Sequence, residues 1–262
     1  MFPGFTHFHQ RRCAVIFLAQ DCVPMTLKDV ETQVDSVDGR LNHSEGRLLY
    51  RLAKRCTGRG AIVEIGSWKG RSTIWLGHGT RAGRGLKIHA VDSHAGVIER
   101  GHTACNISTF DEFQRNLRVA GVQDVVVPHV DYSGSVARRF SEPVEFIFID
   151  GLHDYEAVLT DFAAWFPKVI HGGVMAFHDT TGQAGPRRLV TECVYKSPYF
   201  KNIRFARSIT YGEKTAHTTA MDRLKNRLML WVFLPYAFGC RQLWRLKHSL
   251  TKPTPTVRLE PA

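Results

Sequence analysis

The stretch from Ala61 to Thr73, AIVEIGSWKGRST, constrains this chain more than any other. Its first five residues, rich in apolar and β-branched side chains, read as a parallel strand buried on both faces. Gly66 then permits a tight turn and a close approach of a ligand to the backbone. A helix start follows, and its free N–H groups suit a negatively charged group. Strand, glycine turn and helix in that order make a nucleotide-type binding loop. Glu64 narrows the type. An acid beside the loop repels a pyrophosphate and suits a ligand with a cationic amino-acid end. The Gly66-x-x-x-Gly70 spacing also lacks the third glycine of the dinucleotide fingerprint.

The alternation continues along the chain. Strands are expected at 61–65, 86–91, 124–130, 144–149 and 169–177, with two more near 199–213. Helices are expected from about 70 to 76, 109 to 120, 155 to 166 and 185 to 196. A helical lead-in covers 26–60, with one helix starting at Ser44-Glu45. Such a pattern predicts an α/β fold, a Rossmann-like doubly wound sheet of about seven mostly parallel strands with helices on both faces. Ligands of such sheets bind at the carboxyl ends of the strands. Glu64, Asp92, Asp131, Asp150 and the pair His178-Asp179 all fall at such ends. Polar groups at five successive strand ends mark a site.

With these residues on the page, the chain resembles the class I S-adenosylmethionine-dependent methyltransferases. Within them it is most similar to the small-molecule branch of sugar O-methyltransferases and cephalosporin-hydroxylase-like proteins. The motifs that carry the resemblance are EIGSWKGRST at 64–73, VDSH at 91–94, and the long segment FIDGLHDYEAVLTDFAAWFPKVIHGGVMAFHD at 148–179. S-adenosylmethionine also suits Glu64 and the two-glycine loop better than NAD does. The resemblance implies that Glu64, Gly66, Ser67, Gly70 and Ser72 hold the methionine end. It implies that Asp92 and Ser93 meet the ribose, and that Asp131 and Tyr132 lie near the adenine. It gives His153 the part of a general base, with Asp150 beside it. It also implies a divalent metal, Mg²⁺ or Mn²⁺, on Asp150, His178 and Asp179.

His178 stands where similar enzymes carry an acid, and an imidazole leans toward softer metals or toward no metal. Plainer readings accompany each role. Asp179 can cap the next helix with His178 packed against it, His153 can be an ordinary loop histidine, and Asp131 and Tyr132 ordinary loop residues. Enzymes of this fold that methylate exocyclic amines carry an Asn/Asp-Pro-Pro-aromatic turn after strand four. Here Asp150-Gly-Leu-His153 stands instead, so the acceptor expected is a small-molecule hydroxyl, such as one on a sugar or glycoconjugate. Two other classes compete: a nucleotide-dependent oxidoreductase, disfavoured by Glu64, and a catalytically silent membrane-surface module.

The net charge of +11 does not point to nucleic acid, because nine Lys/Arg against two Asp/Glu lie between 214 and 262. The excess is a tail, and no stacking surface of aromatic and basic residues accompanies it. The expected organisation is a leader and lead-in at 1–39, a methyltransferase domain at 40–213 and a basic, apolar appendage at 214–262. Leu228 to Cys240 is a run of thirteen uncharged residues, shorter than a bilayer crossing requires. Pro235 is expected to break or kink any helix there. Residues 214–250 then read either as an interfacial segment on anionic lipid or as a contact with the core or a second subunit. Residues 251–262 are expected to be disordered. Six cysteines without a C-x-x-C pair point to reduced thiols and a cytoplasmic protein, peripheral to the inner membrane surface if the tail docks there. The six apolar residues after Arg11-Arg12 are few for a signal peptide, and either Met1 or Met25 can be the start.

Overall fold

The computed structural model describes residues 25–95 and 109–250, with side chains described as far as residue 243. The expected leader and the expected disordered end lie outside the described residues. Seven strands form one sheet in the order β3-β2-β1-β4-β5-β7-β6. They are β1 (Ala61–Ile65), β2 (Ile88–Asp92), β3 (Val126–Val130), β4 (Val144–Ile149), β5 (Val169–Phe177), β6 (Phe200–Ala206) and β7 (Ile209–Lys214). β1 to β5 pair in parallel, and β7 enters antiparallel between β5 and β6. The strand order reverses between β1 and β4, which places the binding crevice at their carboxyl ends.

β1 and β4 are buried along their whole length, as their near-continuous apolar sequences require of central parallel strands. Two packed layers cover the sheet. On one face α1 (Leu27–Asp35), α2 (His43–Arg55), α3 (Arg71–Arg81) and α4 (Phe110–Val119) bury Leu49, Trp75, Leu76 and Phe113 against Ile62, Phe146 and Phe148. Val30 and Val34 of α1 join that core, so the lead-in packs with the domain. On the other face α5 (Ser133–Arg139), α6 (Tyr155–Trp165), α7 (Ala184–Leu189) and α8 (Ala220–Leu250) bury Val136, Trp165, Leu189 and Phe233 against Val63, Ile147 and Phe177.

Four elements differ from expectation. α5 stands where no helix was expected. α2 begins at His43, one residue earlier than Ser44 suggests, because Asn42 is its cap: Glu45 N–H donates to Asn42 Oδ1 and Asn42 N–H donates to Glu45 Oε2, both at 3.1 Å. α3 runs on to Arg81 rather than ending near Leu76, since its apolar face stays covered by α2. Pro235 does not end the last helix, which continues through it for 31 residues. The proline lies on the outward side, where water can serve the Trp231 carbonyl that loses its amide donor.

Candidate active site

The carboxyl edge of the sheet is held by main-chain bonds that run one residue past each strand. Gly66 N–H donates to Val91 O (2.9 Å), Asp131 N–H to Asp92 O (3.2 Å), Asp150 N–H to Ile65 O (2.8 Å) and His178 N–H to Ile149 O (3.0 Å). The residues expected at the strand ends are therefore fixed relative to one another. They form two groups.

The first surrounds the loop after β1. Gly66 has φ +85°, and a Cβ there would sit 2.2 Å from the Asp150 carbonyl oxygen. Only glycine lets the β1 and β4 ends come so close. Gly70, at φ +90°, caps α3. Asp92 closes the loop from the other side: its Oδ2 accepts from Trp68 N–H and its Oδ1 from His94 N–H, each at 2.8 Å. Trp68 and His94 are both drawn into positive φ, at 43° and 51°. Ser93, between them in the chain, is half-buried.

Beneath the loop Glu64 is fully buried, and Thr73 Oγ1 donates to its Oε2 at 2.5 Å. Burial, reinforced by the charges of Asp150 and Asp92, outweighs the Ser72 and Thr73 hydroxyls and pushes the Glu64 carboxyl up to about 7. Its Oε1 has no hydrogen-bond partner among the described residues, and neither has the buried Ser67 Oγ. Orphaned buried polar atoms are rare unless a ligand completes them. An acceptor and a hydroxyl left open beside a glycine turn fit the amino-acid end of S-adenosylmethionine. Asp131 is already occupied, accepting from Tyr132 N–H and from Arg139 Nη1, each at 2.7 Å. Tyr132 stands 70% exposed beside it.

The second group lies at the ends of β4 and β5. His178 is buried and its Nδ1 shares a hydrogen with Asp150 Oδ1 at 3.0 Å. Its Nε2 faces Glu45 Oε2 at 3.6 Å, an ion-pair distance beyond hydrogen-bond length. Burial works against a charge on this ring, but Asp150, Glu45 and Asp179 outweigh it and hold His178 well above its ordinary value. Glu45 is buried too, which opposes its ionisation. His178 and the two Ser208 donors, N–H at 2.9 Å and Oγ at 2.6 Å, prevail and hold it below the usual range.

Asp179 has φ +55°, a conformation Asp tolerates better than most side chains. Its Oδ2 meets His153 Nε2 at 3.1 Å. His153 is 41% exposed at the mouth. Asp150, His153 and Asp179 each offer a ligand atom within 4.8 Å of the other two. The expected trio was Asp150, His178 and Asp179. His178 turns its Nε2 toward α2 and its ring edge to Phe148, while its Nδ1 stays beside Asp150 Oδ1 at 3.0 Å and Asp179 Oδ2 at 3.7 Å.

Sequence reasoning missed four contributors. Thr73 and the amides of Trp68 and His94 act locally, within the motifs at 64–73 and 91–94. Glu45 was read as a helix start alone. Nothing in its spacing announces a partner at His178.

A methyltransferase-domain family model matches residues 63–180, from within β1 to just past β5. Several solved structures share the fold. The O-methyltransferase TomG from Streptomyces achromogenes, involved in tomaymycin synthesis and solved in complex with S-adenosylmethionine, is 18% identical over 72% of this chain and 89% of its own, with a TM-score of 0.51. An O-methyltransferase from Bacillus cereus, solved with S-adenosylhomocysteine, is 20% identical over 74% and 94%, with a TM-score of 0.52. The O-methyltransferase NovP is 19% identical over 66% and 81%, with a TM-score of 0.56. Sheet order and family match agree: residues 63–180 form a methyltransferase domain on a Rossmann-like α/β sheet.

Proposed function

We propose that this protein transfers a methyl group to a hydroxyl of a small molecule, a sugar or glycoconjugate in the first instance, with His153 as the base. The observation that carries this is the His153–Asp179 pair at the mouth, beside Asp150. S-adenosylmethionine, when bound, supplies a methyl activated on a sulfonium centre. Glu64 would offer its open Oε1 to the ammonium of the methionine end, and Asp92 its remaining lone pairs to the ribose. Ser67, Ser72 and Ser93 line the same loop, and Asp131 and Tyr132 bound its far side.

His153 Nε2 would take the hydroxyl proton as the oxygen becomes nucleophilic, and Asp179 would orient the ring and balance the charge it gains. That the three solved relatives described above are O-methyltransferases by name accords with an oxygen acceptor. The free thiols of Cys56, Cys193 and Cys240 accord with a reducing, cytoplasmic setting.

The test is an acceptor library with labelled S-adenosylmethionine, beside calorimetry with S-adenosylmethionine and NAD. Label should enter hydroxyl compounds. Label entering amines alone, or NAD binding more tightly than S-adenosylmethionine, would sink the proposal.

A second reading has an observation of its own. Asp150, His153 and Asp179 are a compact ligand set, and on this reading they hold Mg²⁺ or Mn²⁺, which positions the acceptor oxygen. A histidine committed to a metal cannot also take the proton through the same nitrogen. Excess chelator should then abolish turnover, and either ion should restore it. Full turnover in metal-free protein leaves His153 as the base and ends the metal reading.

A further inference from the structure

The outward face of α8 takes no part in the methyl-transfer reading. Its inward side is fixed to β6. Asn226 Nδ2 donates to Phe200 O (2.7 Å) at the start of that strand. Phe233 and Tyr236 pack on Phe205 near its end, with ring centroids at 5.4 and 5.1 Å. β6 runs in the direction of β5. The helix therefore climbs toward the carboxyl edge, and beyond Tyr236 it continues past that edge for about 20 Å. The charge of Arg241 there is felt by Arg187 on α7, the helix whose Gly185 abuts the His153 backbone.

The opposite side of α8 is a continuous apolar stripe of Leu224, Leu228, Trp231, Val232, Phe238 and Leu243, with Trp231 80% exposed. Exposed cations border it, Arg223, Arg227 and Arg241 on one flank and Lys225 on the other. The whole helix carries six Lys/Arg and a single acid, Asp222, which is spent capping Thr219. Among the described residues no helix is long and apolar enough to cross a membrane. The stripe also contains Pro235, so the Trp231 carbonyl lacks its helical donor. A dry protein contact would leave that carbonyl unsatisfied, whereas a hydrated headgroup layer supplies donors.

We infer that this face docks the protein on an anionic membrane surface, with Trp231 and its neighbours in the headgroup layer and the flanking arginines on lipid phosphates. The inference stands whatever the acceptor is. It carries one consequence for the site, which opens on the side toward which α8 projects.

Full-length protein would be sedimented with phosphatidylcholine vesicles, with and without phosphatidylglycerol, at low and high salt. Binding should require the anionic lipid and fall as salt rises. Leu228→Glu with Trp231→Glu should abolish it at an unchanged melting temperature. Arg227→Gln with Arg241→Gln, which leaves every apolar contact in place, should weaken it by about thirtyfold. Wild-type protein that ignores both vesicle types overturns the inference. So does a wild-type dimer, seen by sedimentation velocity, that the Leu228/Trp231 variant dissociates while lipid is ignored. That outcome assigns the face to a second copy of the chain.

Discussion

The two halves of the site handle charge in different ways. Around the β1 loop, Asp92 is satisfied by backbone amides, which neither move nor titrate, and Glu64 is left with an open oxygen. At the β4 and β5 ends, Asp150, Asp179 and Glu45 are met by two imidazoles, His153 and His178. On the proposed function the first half would hold one ligand in one pose and the second would shift a proton, the division of labour that a transfer reaction with a fixed donor and a deprotonating acceptor requires.

The sharpest way to break the comparison is His153→Ala. It should lower turnover by about 10²–10⁴-fold while leaving S-adenosylmethionine affinity in calorimetry unchanged. A variant as fast as the parent at neutral pH would take the proton-shifting task away from this half. Asp92→Ala probes the other half. Charge-assisted bonds of this kind contribute about 1.5–3 kcal/mol each, so S-adenosylmethionine affinity should fall by about 10–100-fold. Unchanged affinity would put the ribose elsewhere.

The smallest effect concerns Glu64. Its carboxyl is raised to about 7 in the folded protein, so between pH ~4.5 and ~7 the folded state holds a proton that the unfolded chain has released. Stability of the ligand-free protein from this group is therefore greatest at low pH and declines as pH rises through that window. An ammonium ligand needs the ionised form, so its affinity should rise severalfold from pH 6 to 8, with proton release on binding. Glu64→Gln should flatten both trends. A wild-type affinity indifferent to pH would mean that Glu64 does not face the ligand's cation.

The legible parts of this molecule were those written locally. Period and glycine punctuation gave the central strands, because β1 and β4 are apolar but for one buried glutamate each, and the acids at strand ends marked the crevice. The fate of His178 was not legible. Its place next to Asp179 suggested a shared site, and the two side chains do lie within 3.7 Å, but its other partner, Glu45, is 133 positions away in the chain. Pro235 misled for a related reason. Its rule concerns a missing donor, and the sequence does not say whether the stranded carbonyl faces core or water.

The Glu45 carboxylate has two occupations at once. One oxygen closes the first turn of α2 by taking the Asn42 amide, and it is also the oxygen nearest His178; the other takes both donors of Ser208 before β7. Three distant stretches of chain thus meet on a single buried ion. The charge that caps the helix start also adds to the hold that Asp150 exerts on the His178 imidazole, so docking of α2 and the electrostatics of the β5 end are coupled through one carboxylate.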